Sequence, residues 1–324
     1  MINRAYMFNK FIRYDELNSM LSSMPSSKTL IGKPLDIFID IKSIYKDVLS
    51  TEFMSSDIKT LSINILNMAA HYRYFFRNAL KTNVRVYLLN SEENLIGNLC
   101  QISNYGQDLF KTIEILCKFF PDIYYIYRQG YNPCAIISYL ISKESSIDNG
   151  KLIISNDIFS YQLPTLFQNT FLLHVGIKHK KLISYSTAID AQFKNTTPSS
   201  DISPLLIPVL MALNKCTELS LPLLYPYKSA LKKLREAIKA NVFIQGRNPP
   251  FEKVDYLLDI YGFYSRWIMC DLPTKSLKYY NSPDILDETW KVKRQCDFSI
   301  LASIIDDKIN TNHEDILNYI YLLA

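Results

Sequence analysis

The chain has 324 residues, 48% of them hydrophobic, which is enough to bury one large core or two modest ones. Its formal charge of +5 arises from 36 Lys and Arg against 31 Asp and Glu, too small an excess to identify a nucleic-acid binder by itself. Six scattered cysteines with no Cys-x-x-Cys pair argue against a structural zinc site, and no apolar run is long enough for a bilayer, so a soluble, intracellular chain with no membrane partner is expected.

In chain order, "LDIFIDI" (35–41), "NVRVYLL" (83–89), "DIYYIYR" (122–128) and "KLIISN" (151–156) read as strands. Between them, 61–81, 108–120 and 135–143 carry apolar residues at helical spacing. That alternation predicts a parallel sheet covered by helices. "TFLLHVG" (170–176) and "KLISYS" (181–186) extend the sheet at one edge, with "KHKK" (178–181) marking an exposed hairpin. A polar stretch, 192–204, reads as a linker or loop, and the chain beyond it is mainly helical, with a natural cut near residue 200. No G-x-S-x-G, Walker A or G-x-G-x-x-G is present, and His71, His174, His179 and His313 have neither zinc nor nucleophile–base spacing.

Ligands of open parallel sheets gather outside the carboxyl ends of the strands. Asp40, Asn90 and Asp157 stand at three of those ends, where clustered carboxylates would hold Mg²⁺ or Mn²⁺ for phosphodiester hydrolysis. "IFIDIKSIYK", "HYRYFFRNALKTNVRVYLLNSEE", "GYNPCAIISYLISK", "KLIISNDIFSYQL" and "LNKCTELSLPLLYPYKSALKKLREAI" together, over about 31–240, resemble in order the 5′-nuclease or flap-endonuclease group of the PIN-like fold. The resemblance implies an α/β class, with a PIN-like parallel-sheet nuclease domain (31–200) and a helical, helix-turn-helix-like region that grips DNA (201–250); outside it stand an N-terminal arm (1–30) and a C-terminal extension (251–324) that reads as helical from its apolar spacing.

Against that pattern the chain is depleted of acids. Asn132, Pro133, Cys134 and Ala135 stand where the resemblance implies several carboxylates, Phe159 replaces the second acid of an Asp-x-Asp pair, and Asn90 replaces an Asp. Asp40, Asp157 and Glu218 remain as residual metal ligands, with Glu92 and Glu93 as displaced substitutes. Asp40 and Asp157 read equally well as helix caps. Glycines implied for the DNA-gripping hairpin are missing, since none occurs between Gly176 and Gly246.

Arg73, Arg77 and Lys81 recur at i, i+4 and i+8, and suit either phosphate contacts or a solvated basic face. Lys228, Lys232, Lys233, Arg235 and Lys239 crowd one helix, fitting nucleic acid or an acidic protein partner. The expectation is therefore a degenerate 5′-nuclease fold with no resident cofactor, Mg²⁺ or Mn²⁺ filling any site that survives, DNA and a protein as candidate partners, and a viral source suggested by the AT-rich-type composition. A live metal-dependent nuclease and a pure protein-interaction module are the alternatives.

Overall fold

The computed structural model describes residues 18–19, 21–22, 30–43, 58–90, 103–127, 132–143, 145–175, 180–193, 202–214, 225–239 and 270–271. Five strands are short, almost unbroken apolar runs, the pattern of strands covered on both faces. They are β1 (Leu35–Asp40), β2 (Val84–Asn90), β3 (Ile123–Tyr127), β4 (Gly150–Ser155) and β5 (Thr170–Val175), all parallel to one another. β6 (Lys180–Ile183) closes one edge antiparallel to β5. It ends before residue 186 because Ser184 and Thr187 form a capping box that starts a 3₁₀ turn, Tyr185–Thr187.

The strand order is β3-β2-β1-β4-β5-β6. The chain first builds outward from β1 to β3, then returns to lay β4 on the other side of β1. Between the carboxyl ends of β1 and β4 the connections diverge, which opens the crevice where ligands bind in such sheets.

Helices α1 (Ile58–Leu80), α2 (Ser103–Cys117) and α3 (Pro133–Lys143) precede β2, β3 and β4. Strand parity divides the core. Ile37, Ile39, Val86, Leu88 and Ile123 share one cluster with α1 and α2 residues such as Ile65, Ala69 and Leu116. Phe38, Tyr87, Leu89 and Ile153 share the other with α3, which is buried along nearly its whole length. Short α4 (Leu163–Leu166) and α5 (Ala188–Phe193) follow β4 and β6, and α6 (Ile207–Asn214) and α7 (Tyr227–Lys239) complete the described chain. Leu206, Val209, Leu210, Leu231 and Leu234 belong to this second cluster, so residues on both sides of 200 share one core. Cys270 joins it too, its carbonyl accepting a 2.6 Å bond from the Gln162 amide.

The amino ends of the strands are held by charge. Asp36, Arg85 and Lys151 lie in register on β1, β2 and β4. Buried Asp36 accepts from Arg85 Nε at 2.7 Å, Ser145 Oγ at 2.6 Å and Asn149 Nδ2 at 3.1 Å, so its charge is compensated by donors from β2 and from the turn that leads into β4.

Candidate functional site

At the carboxyl end of β1, Asp40 is 1% exposed. Its Oδ2 accepts from Ser43 Oγ at 2.8 Å and Ser155 Oγ at 3.1 Å, and its Oδ1 accepts from the Lys42 amide at 3.1 Å. Ser43 has one hydroxyl proton, and Asp40 is the nearest of its acceptors, ahead of Asn156 Oδ1 at 3.0 Å and Ser155 Oγ at 3.4 Å. Ser43 Oγ in turn accepts from the Asn156 amide at 2.7 Å. The ends of β1 and β4 are thus stitched together across the crevice.

Asp157 caps the 3₁₀ turn Ile158–Gln162, its Oδ1 accepting from the Phe159 amide at 2.9 Å. Its Oδ2 accepts from Asn132 Nδ2 at 3.2 Å. Asn132 is the cap of α3: its Oδ1 accepts from the Cys134 amide at 2.8 Å and its carbonyl from Ala135 and Ile136. Pro133, at the first helical position, gives up no hydrogen bond there, which is why α3 starts at Pro133 rather than at 135.

Burial and the nearby Asp157 charge together push the Asp40 carboxyl up from 3.8 to about 6, against the opposing pull of the Ser43 and Ser155 hydroxyls and Lys42. Asp40 and Asp157 each accept the backbone amide of the residue two positions on, as caps do, and they lie close enough at the switch point for the charge of Asp157 to act on Asp40.

Asn90 does not join them. Register pairs Asp40 with Leu89, and Leu89 shares the cluster of Phe38 on Asp40's side of the sheet. Asn90 lies on the opposite side with Leu88, where its Nδ2 donates to Tyr125 Oη at 3.2 Å and its buried Oδ1 has no hydrogen-bond partner. Phe159 is 1% exposed and packed in the second cluster, so that position faces core. Glu218, Glu92 and Glu93 lie outside the described residues.

The expected basic stripe on α1 is corrected. Arg73 is buried, donating from Nε to the Val84 carbonyl at 3.0 Å and from Nη2 to Asp122 at 2.7 Å. Those partners mark the amino ends of β2 and β3, the edge opposite Asp40 and Asp157. Arg77 is exposed, and Lys81 has left the helix in a left-handed turn, φ 50°, three residues before β2 begins. Helical spacing placed these three on one face, but Arg73 turns inward to satisfy strand groups.

Lys228, Lys232, Lys233, Arg235 and Lys239 all lie on α7. Ala230, Leu231, Leu234 and Ala237 form its buried face, leaving Lys228, Lys232 and Lys239 exposed. Glu236 offsets this charge only through a loose 4.0 Å pair with Lys232. Lys233 Nζ lies 5.0 Å from the centre of the Tyr225 ring. α7 is clasped to the end of α6 by Tyr225 N donating to the Leu213 carbonyl and Asn214 Nδ2 donating to the Tyr225 carbonyl at 2.8 Å. α6 packs in turn on the 3₁₀ turn that Asp157 starts, with Met211 Sδ 3.7 Å from Gln162 Nε2. One helix therefore separates the basic face from the acidic pair.

No family model matches the sequence, and no curated protein matches it. Solved structures do. The T5 D15 protein co-crystallised with metal ions aligns at a TM-score of 0.53 and 10% identity over 84% of this chain and 100% of that one. The fold is that of the 5′-nucleases. A T5 5′-exonuclease with bound zinc aligns at 0.52 and 12% identity over 84% and 100%, and the catalytic core of Rad2 in complex with a DNA substrate at 0.50 and 14% over 92% and 94%.

Does this site suit the divalent cations that the resemblance implies? A hard cation needs carboxylate lone pairs free to converge on it. Here Asp40 spends its oxygens on three protein donors and Asp157 on two, and the side chain reaching in from α3 offers an N–H instead of an oxygen. Among the described residues no group of three or more His, Cys, Asp or Glu converges. These residues do not fit a two-cation set.

Proposed function

We propose that the chain is a catalytically degenerate 5′-nuclease fold that acts as a nucleic-acid-binding or scaffold subunit, with α7 as its phosphate-facing element. A viral replication or virion complex is the setting that its composition suggests. The observation that carries this reading is the state of the acidic pair: every oxygen of Asp40 and Asp157 already accepts a hydrogen bond from the protein. Phosphodiester hydrolysis in the two-metal mode needs cations on both the attacking and leaving oxygens. Two carboxylates engaged in this way, at a helix start without acids, leave that chemistry without its electrostatic means.

Binding needs less. Lysines on an exposed helical face neutralise phosphates without metal, and their contribution falls with salt as counterions are released. α7 presents such a face and is clasped to the end of α6. Among the described residues no helix is long and apolar enough to cross a membrane.

The test is incubation of the protein with a labelled 5′-flap and a single strand in excess Mn²⁺, with binding followed in parallel at low and high salt. Salt-sensitive binding of uncut DNA is the expected result. Cleavage that Asp40→Ala abolishes would replace the reading with an active nuclease, and failure to bind any strand would leave a protein-interaction module.

A further inference from the structure

We infer that Asn132 is the chain's own replacement for a cation at the mouth of the crevice, a positioning residue that ties the start of α3 to the end of β4 by an amide–carboxylate hydrogen bond. The inference deepens the non-catalytic reading and rests on it.

The orientation of the Asn132 amide is fixed by its neighbours. Its oxygen faces the Cys134 N–H at 2.8 Å, and turning the amide over would set its NH₂ against that N–H, donor against donor. The NH₂ must therefore point at Asp157 Oδ2, 3.2 Å away. A neutral side chain thus presents its positive end to the carboxylate and its negative end to the first turn of α3, where it satisfies the Cys134 N–H. A divalent cation bridging two carboxylates would link the same two segments through charge. Here the linkage is made by one polar, uncharged group, while Ser43 and Ser155 do the corresponding work on Asp40.

An acid at this position would reverse the situation. Asp caps helices as well as Asn does, so the bond to Cys134 would survive. The second oxygen would then oppose Asp157 at hydrogen-bond distance, with Asp40 also within electrostatic reach of Asp157. Three negative groups would converge, and a cation would be the means of relieving them.

The experiment compares thermal melting in EDTA and in Mn²⁺, with bound Mn²⁺ counted by electron paramagnetic resonance, for the wild type, Asn132→Asp, Asn132→Leu and the swapped pair Asn132→Asp with Asp157→Asn. The wild type should melt at one temperature in both media. Asn132→Asp should melt lower in EDTA, recover in Mn²⁺ and bind the ion; Asn132→Leu should melt lower in both. The swapped pair should regain wild-type melting in EDTA, because the same bond is restored with its direction reversed, and this arm stands even if the single Asp variant does not fold. The inference is overturned if the wild type binds Mn²⁺ and is stabilised by it, or if the swapped pair melts no higher than Asn132→Leu. Those outcomes are separate from DNA cleavage by the wild type, which is what would sink the non-catalytic reading itself.

Discussion

Replacing Asp40 by Asn should stabilise the protein at neutral pH and expose a pH dependence that the wild type hides. Burial and Asp157 raise the Asp40 carboxyl from 3.8 to about 6, so between those values the native state keeps a proton that the unfolded chain releases. Stability contributed by that proton is complete below 3.8 and is lost as pH rises through about 6. About two pH units at 1.36 kcal/mol each give a cost of about 3 kcal/mol at neutral pH. His71 runs the other way. Burial lowers it from 6.5 to about 4, so the unfolded chain binds the proton that the native state refuses, and stability rises by about 3 kcal/mol as pH climbs across that window.

The two slopes nearly cancel in the wild type, whose stability should be almost flat between about pH 4 and 6. Asn at position 40 can keep its oxygen toward the Lys42 amide and donate from its NH₂ to the Ser43 or Ser155 hydroxyl, which can turn to accept. With the carboxyl gone, only the His71 slope remains. Urea unfolding across this range should show a rising profile for Asp40→Asn and a flat one for the wild type, the gap widening by about 3 kcal/mol toward neutral pH. Parallel profiles would refute the reasoning, since they would mean that the hydroxyl and amide donors fully compensate the buried charge.

Three other outcomes follow from the geometry. Arg73→Ala removes charged hydrogen bonds to Val84 and Asp122 and should cost about 2–3 kcal/mol in denaturant unfolding, while leaving DNA affinity unchanged because the group is buried and faces protein, not phosphate. Lys228→Glu combined with Lys232→Glu should leave melting near wild type, because both are exposed, but should weaken DNA binding and lower the slope of log affinity against log salt by about 2. Gly150→Ala would set a Cβ 2.8 Å from Leu30 Cδ2 and 3.0 Å from Leu35 Cδ1, so calorimetry should show a loss of about 1–3 kcal/mol as those leucines are displaced.

The sheet was readable because its strands are apolar runs separated by helical periods, and the place of Asp40 and Asp157 followed from their positions at strand ends. The same burial hid strand parity. When both faces of β2 are apolar, alternation carries no sign of which side Asn90 takes, and only the register of Asp40 with Leu89 decides it. Arg73 was misread for a related reason: its partners lie 11 and 49 residues away, one of them an Asp in a left-handed turn, which helical spacing cannot show. Asn132 was legible only in half. The Asn-Pro pair is a helix-start signal, but its bond to Asp157 exists because β1, β4 and α3 meet at one crevice.

The strand order also governs the history of each new chain. β2 is the next strand made after β1, but the partner for the other edge of β1 comes only with β4, whose Ser155 bonds Asp40 across a separation of 115 residues. At ordinary synthesis rates of about 5–20 residues per second, that edge stays unpaired for roughly 6–23 s. Throughout that interval an apolar strand at the centre of the final sheet is an open template for other chains. Whatever shields it during synthesis matters as much to the yield of folded protein as any contact in the finished molecule.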